Sequence, residues 1–415
     1  MILFCSLVFC FSVNAQTPTP VSLQEEEQRT EKLRDEILLL KKLKVSGYIQ
    51  GQYQYGQEAA SLKVGGANEN PEKSYNRIGI RRGRIKFQYD EGIASGVFQL
   101  DLTENGIHFK DVYLNIKDPW SHTSALRVGV FDRPFGYEIS YSSSRRESPE
   151  RSTIFQTLFP EERDLGAMFI LQPLPTSPFH FLKVEAGLFA GNGIKKDTDS
   201  KKDFIGHFSA AKTIGKNSAW GAGLSYYNGS VYQGTENVYK MQGRKFVLDA
   251  DPGHKGGFAK REYIGLHARL SLTNSWGKTE VRGEYLFGQQ PGTLSGSKSP
   301  NASSLPEADV YIRDFRGGYL LLVQDIGKLP FSAVLKYDWY DPNTDVSGND
   351  IGLNETTSTD LSMHTIGGGI LWYIYTNLRL QAYYEINKNE KTSQIERYKG
   401  DVKDNVFTLR LQYKF

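Results

Sequence analysis

The last ten residues, Val406 to Phe415, alternate without a break. Phe407, Leu409, Leu411, Tyr413 and Phe415 are large and apolar, whereas Thr408, Arg410, Gln412 and Lys414 between them are polar. A repeat of two puts one set on each face of a β-strand. About ten residues is also the length of a tilted strand crossing a hydrocarbon layer. The run therefore predicts a strand with one face to lipid and one to water.

The same period governs the chain from Lys44 onward. About sixteen strands are expected, at 44–55, 77–89, 93–103, 107–117, 125–133, 165–171, 179–190, 203–212, 218–227, 262–272, 277–287, 314–324, 331–340, 363–373, 377–387 and 405–415. In the thirteenth, Phe331, Ala333, Leu335, Tyr337 and Trp339 share a face opposite Ser332, Lys336 and Asp338. Connections after even strands are short, as at 90–92, 213–217 and 374–376. Those after odd strands are long, as at 56–76, 134–164 and 228–261, with 104–106 the exception. A transmembrane barrel sorts its turns and loops in this way, and a propeller or sandwich has no reason to. The expected fold is all-β: an antiparallel transmembrane β-barrel of about 16 strands, residues 44–415, with both termini on the short-turn side.

Composition agrees. Gly (41 residues) and Tyr (24) are abundant, and a mean hydropathy of −0.47 excludes a helical membrane bundle. A formal net charge of +3 among 415 residues is too mild to argue for nucleic acid.

Residues 1–15 read as a signal peptide, with an apolar stretch Met1–Val13 and a small-residue exit at Ala15, although no basic residue opens it. Both cysteines, Cys5 and Cys10, lie inside it, so the mature chain is expected to carry no thiol. A lipoprotein reading at Cys10 is weakened by bulky Phe9. Residues 16–43 form a linker and a short helical or coiled-coil segment. Leu33, Ile37 and Leu40 keep coiled-coil spacing, but the register continues backward through Thr30, Glu26 and Leu23. The helix either self-associates through this seam or lies solvated near the barrel rim.

The connection 134–164 is too long for a plain loop in a compact domain and is the expected constriction, folded into the lumen. Arg82, Arg84 and Lys86 share the wet face of the second strand, and Arg127 and Arg133 that of the fifth. Arg269, Arg282, Lys336, Arg379 and Arg410 add cations, against inward Asp101, Asp111, Glu185, Glu280, Glu284 and Asp338. Within the loop, Arg145, Arg146, Arg151 and Arg163 face Glu138, Glu147, Glu150, Glu161, Glu162 and Asp164. These charges either pair and hold the loop to the wall, or leave Arg133, Arg145, Arg146 and Arg151 as a transport ladder. Guanidinium and ammonium groups suit an anion path, since fixed donors replace the anion's hydration shell.

Several segments resemble the phosphate-selective porin O/P family in order along the chain. They are Gly47-Tyr48-Ile49-Gln50-Gly51-Gln52-Tyr53, Arg81-Arg82-Gly83-Arg84-Ile85-Lys86, Lys110-Asp111-Val112-Tyr113-Leu114 and Arg127 through Glu138. Pro149-Glu150-Arg151-Ser152, Glu162 through Gly166, and Lys336 through Asn343 continue the series. The resemblance implies a trimeric outer-membrane porin of a Gram-negative bacterium that passively admits small anionic solutes such as phosphate. A weakly selective or sugar-preferring channel of the same fold is the alternative; inward Tyr48, Tyr113, Tyr340 and Tyr383 keep sugars open. An outer-membrane barrel enzyme ranks last. No His-acid pairing is evident, no HExxH or Gly-x-Ser-x-Gly occurs, and no cofactor is expected.

Overall fold

The structure is a computed structural model that describes residues 23–415; the expected signal segment 1–15 lies outside them. The helix expected within 16–43 is α1 (Leu23–Lys42), whose Leu33 and Ile37 are half exposed. The side chains of Leu23 and Leu40, which would complete the seam, lie outside the described residues.

Eighteen strands follow: β1 (Leu43–Gly56), β2 (Tyr75–Glu91), β3 (Ala94–Thr103), β4 (Gly106–Lys117), β5 (Ser124–Asp132), β6 (Arg163–Leu171), β7 (Leu182–Phe189), β8 (Asp203–Ile214), β9 (Ser218–Tyr232), β10 (Asn237–Gln242), β11 (Lys245–Ala250), β12 (Phe258–Asn274), β13 (Gly277–Gly292), β14 (Val310–Asp325), β15 (Phe331–Asp341), β16 (Met363–Tyr375), β17 (Leu378–Asn389) and β18 (Val406–Lys414). Each expected segment became a strand. β10 and β11 form a hairpin inside the connection from β9 to β12, reversing at Gly243 with φ 61°. The other sixteen close an antiparallel barrel, sealed where β1 meets β18 from Tyr48↔Lys414 to Gly56↔Val406. Closure pairs the backbone groups that an open edge would leave bare in lipid.

The faces are inverted relative to a soluble protein. On β18, Leu409, Leu411 and Tyr413 are exposed while Thr408, Arg410 and Gln412 are buried. On β15, Leu335 is 54% exposed, whereas Lys336 beside it is 4% exposed. Apolar side chains outward and polar side chains inward make a membrane-spanning surface, the arrangement of outer-membrane barrels. Trp120 and Trp276 stand out at two of the short turns, the level of an aromatic girdle.

The apolar core sits inside the barrel. The connection between β5 and β6 carries a short helix, α2 (Thr153–Leu158), which buries Ile154, Phe155 and Leu158. With Phe135, Ile139 and Phe159 these side chains pack on Tyr227, Tyr263, Phe315 and Tyr319 of the wall. Phe159 meets the edge of Tyr263 at 5.7 Å, and Phe135 lies 4.9 Å from Phe159.

Because Leu335 faces outward near the middle of its strand, Leu335→Arg should cost about 2–4 kcal/mol of barrel stability. Urea unfolding in lipid vesicles would measure it, and a neutral result would mean that this face does not meet hydrocarbon.

Candidate functional site

The loop from Arg133 to Glu162 is held in the lumen by charge, and Glu150 collects the most. Its carboxylate takes two hydrogen bonds from Arg81, both 2.8 Å, with Arg82 at 2.8 Å and Arg410 at 3.0 Å. Burial opposes the ionised form of Glu150, but Arg81, Arg82 and Arg410 outweigh it and hold the carboxyl well below the usual carboxylate range. Arg81 was not among the inward residues expected. Alternation along β2 changes phase beside it: Ile78 is 79% exposed and Ile80 also faces out, yet Arg82 and Arg84 are buried. Adjacent Arg81 and Arg82 therefore both reach one carboxylate.

The remaining contacts tie the loop to strands all around the wall. Glu147 pairs with Arg282, and Glu138 accepts from Lys336 at 3.2 Å. Glu284 accepts from the backbone N–H groups of Tyr137 and Glu138 at 2.7 and 2.6 Å. Tyr48 meets the Ser143 hydroxyl at 2.6 Å, and Arg84 donates to that hydroxyl at 3.0 Å while pairing with Asp101 at 3.2 Å. Where the loop returns to the wall, Glu161 and Glu162 take left-handed backbone angles of 62° and 67°, a strained conformation for residues with a Cβ. Glu162 is fixed there by Arg151, and by Arg163 at 2.9 Å. Arg163 also pairs with Asp111 at 2.9 Å, and Arg133 with Asp164 at 3.2 Å.

These contacts divide the nine cations singled out from the sequence. Arg82, Arg84, Arg133, Arg151 and Arg163 are ion-paired. Lys86, Arg127, Arg145 and Arg146 have no carboxylate within ion-pairing distance among the described residues. Arg127 lies over the Tyr113 ring at 4.5 Å, and Arg145 over Tyr141 at 5.9 Å. Arg146 is buried, and all three guanidinium nitrogens lack a hydrogen-bond partner. Burial, then Arg151 and Arg82, push the Arg146 guanidinium well below its ordinary pKa, with Glu150 and Glu138 offsetting in part. Lys86 and Arg127 lie in the halves of β2 and β5 nearer the short turns. Arg145 belongs to the same side, lining a cavity of about 310 Å³ with Arg379 and Lys414. A second cavity, of about 530 Å³, places Arg127 beside Lys117, His122, His180 and Lys183.

The sequence reading missed the buried pairs Arg261–Asp203 and Arg313–Asp360, whose partners are 58 and 47 residues apart. Among the described residues, no three His, Cys, Asp or Glu side chains are grouped to hold a metal ion.

The chain matches no protein-family model and no curated protein. Solved structures do resemble it. The anion-selective porin from Comamonas acidovorans aligns with a TM-score of 0.52 at 12% identity, covering 90% of this chain and 99% of that one. OprB of Pseudomonas putida aligns at 0.57 and 10% identity, covering 93% and 97%. The trimer form of OmpT from Vibrio cholerae aligns at 0.50 and 10% identity, covering 90% and 99%. At these identities the likeness establishes the fold, that of an outer-membrane porin barrel.

Glu150→Gln should strand the buried guanidiniums of Arg82 and Arg410 and the part-buried one of Arg81, and cost about 3–5 kcal/mol, read as faster tryptic cleavage within the loop. Because the folded pKa of Glu150 is depressed, its contribution is complete above the unfolded value of about 4.3. It should fade only as pH falls through the lower folded value. Loop protection lost already near pH 6 would refute the assignment.

Proposed function

We propose that this barrel is an outer-membrane diffusion channel for small hydrophilic solutes, with a preference for anions such as phosphate, working as a homotrimer. The observation that carries this reading is the division of charge inside the lumen. Of the loop's acidic groups, Glu138, Glu147, Glu150 and Glu162 are paired with Arg81, Arg82, Arg151, Arg163, Arg282 and Lys336, whereas Glu161 is exposed and accepts from Asn301. The cations left over lie beneath and within the loop.

A solute entering from the long-loop rim leaves bulk water where the loop narrows the lumen. There Arg146, buried without a paired carboxylate among the described residues, biases the local potential toward an anion. Lys86, Arg127 and Arg145 then keep the potential positive toward the short-turn rim, so the anion is released into a favourable field rather than held at one point. The anion selectivity of the Comamonas porin and the trimeric form of OmpT, both on this fold, support the same reading.

Arg82 and Arg84 thereby change role. Arg82 is tied to Glu150, and Arg84 to Asp101 and the Ser143 hydroxyl, so both position the loop. In planar bilayers under a salt gradient, the combined variant Lys86→Gln, Arg127→Gln and Arg145→Gln should move the reversal potential toward cations. Arg84→Gln should raise conductance noise with a smaller shift in selectivity. An unchanged reversal potential in the combined variant would sink the anion reading, and absence of conductance in the wild type would sink the channel.

A further inference from the structure

Two histidines outside the loop network meet on the lumen wall. His207 on β8 and His267 on β12 flank β9, and their rings lie 5.3 Å apart, tilted by 57°. Gly223 of β9 permits the approach. A Cβ there would collide with Cε1 of His267 and stand 3.0 Å from Nε2 of His207. The two residues are too far apart in sequence for spacing to have linked them.

Nδ1 of His207 lies 3.4 Å from the carboxylate of Glu185, itself steadied by Lys183 at 2.7 Å. That contact assigns the ring proton to Nδ1 and leaves a lone pair on Nε2. Nε2 of His207 and Nδ1 of His267 are both buried without a hydrogen-bond partner, and His207 as a whole is 9% exposed. Unpaired imidazole nitrogens at such depth are a cost unless something occupies the space between them. A carboxylate behind a histidine whose far nitrogen is free is the arrangement that orients metal ligands and raises their basicity. Arg269, two residues on from His267, is turned onto Tyr137, 5.1 Å from its ring and 3.2 Å from its hydroxyl.

We propose that His207 and His267 bind one divalent transition-metal ion of the imidazole-seeking class, Zn²⁺, Ni²⁺ or Cu²⁺, at the lumen wall. Two nitrogens complete only part of a coordination shell, so water entering with the ion would have to supply the rest. Tyr137 of the loop lies 6.1 Å from the His267 ring, ring to ring, so a bound dication sits at the edge of the constriction.

Calorimetric titration of the purified full-length barrel in detergent with ZnCl₂ tests this. One ion per chain is expected, with affinity falling at least tenfold in His207→Gln and in His267→Gln, and about 10–100-fold in Glu185→Gln. His254→Gln, on an exposed connection, should leave binding unchanged. Heat-modifiable gel mobility reports that each variant is folded. No binding by the wild type, or binding retained in both histidine variants, overturns the site. In bilayers, Zn²⁺ should change the conductance reversibly, with recovery on adding chelator. If the wild type does not conduct at all, the channel reading falls while calorimetry still decides the metal site.

Discussion

A backbone in hydrocarbon must satisfy every N–H and C=O group within the protein, and this barrel does so by joining its first strand to its last. Once β18 is hydrogen-bonded to β1, no sheet edge remains, and the period of two assigns each side chain to lipid or lumen. The outward face then needs only to be apolar. The inward face carries the specific chemistry, because a sixteen-stranded barrel encloses more space than wall side chains alone can fill.

The loop from Arg133 to Glu162 fills that space by two means with different reach. Its apolar side chains dock on Tyr227, Tyr263, Phe315 and Tyr319, placing α2 against one side of the wall. Its charged side chains extend to the other side, through Glu150 to Arg82 of β2 and Arg410 of β18. Buried ion pairs contribute little net stability once desolvation is counted, but a broken one is expensive. They serve here as registration marks: a loop shifted by one residue would leave three arginines facing no counter-charge.

The barrel was legible in the sequence because its cause is local. Alternation survives wherever a strand crosses lipid, so the expected 262–272 and 314–324 lie inside β12 and β14. Those strands run further, to Phe258 and Val310, because strands projecting beyond the bilayer no longer need an apolar face. The β10–β11 hairpin lies entirely in that projecting region and shows no lipid pattern. Strict alternation also concealed Arg81, since β2 changes phase beside it and its partner Glu150 comes from another part of the chain. The arginines were visible as residue types, but their roles depended on which acid the barrel brought opposite each one.

Selectivity in such a lumen is thus a remainder, and counting charges along the wall misreads it. Asp164 and Asp203 are as deeply buried as Arg133 and Arg261, and each cancels a cation that alternation alone would assign to the pore. What survives among the cations singled out on wall and loop is the set that the fold leaves without a carboxylate among the described residues: Lys86, Arg127, Arg145, Arg146, Arg269 and Arg379. Four of these lie on the wall and two on the loop, so the position of the loop determines whether they act together. The network around Glu150, three guanidiniums on one carboxylate, fixes the loop and therefore shapes the field inside the lumen.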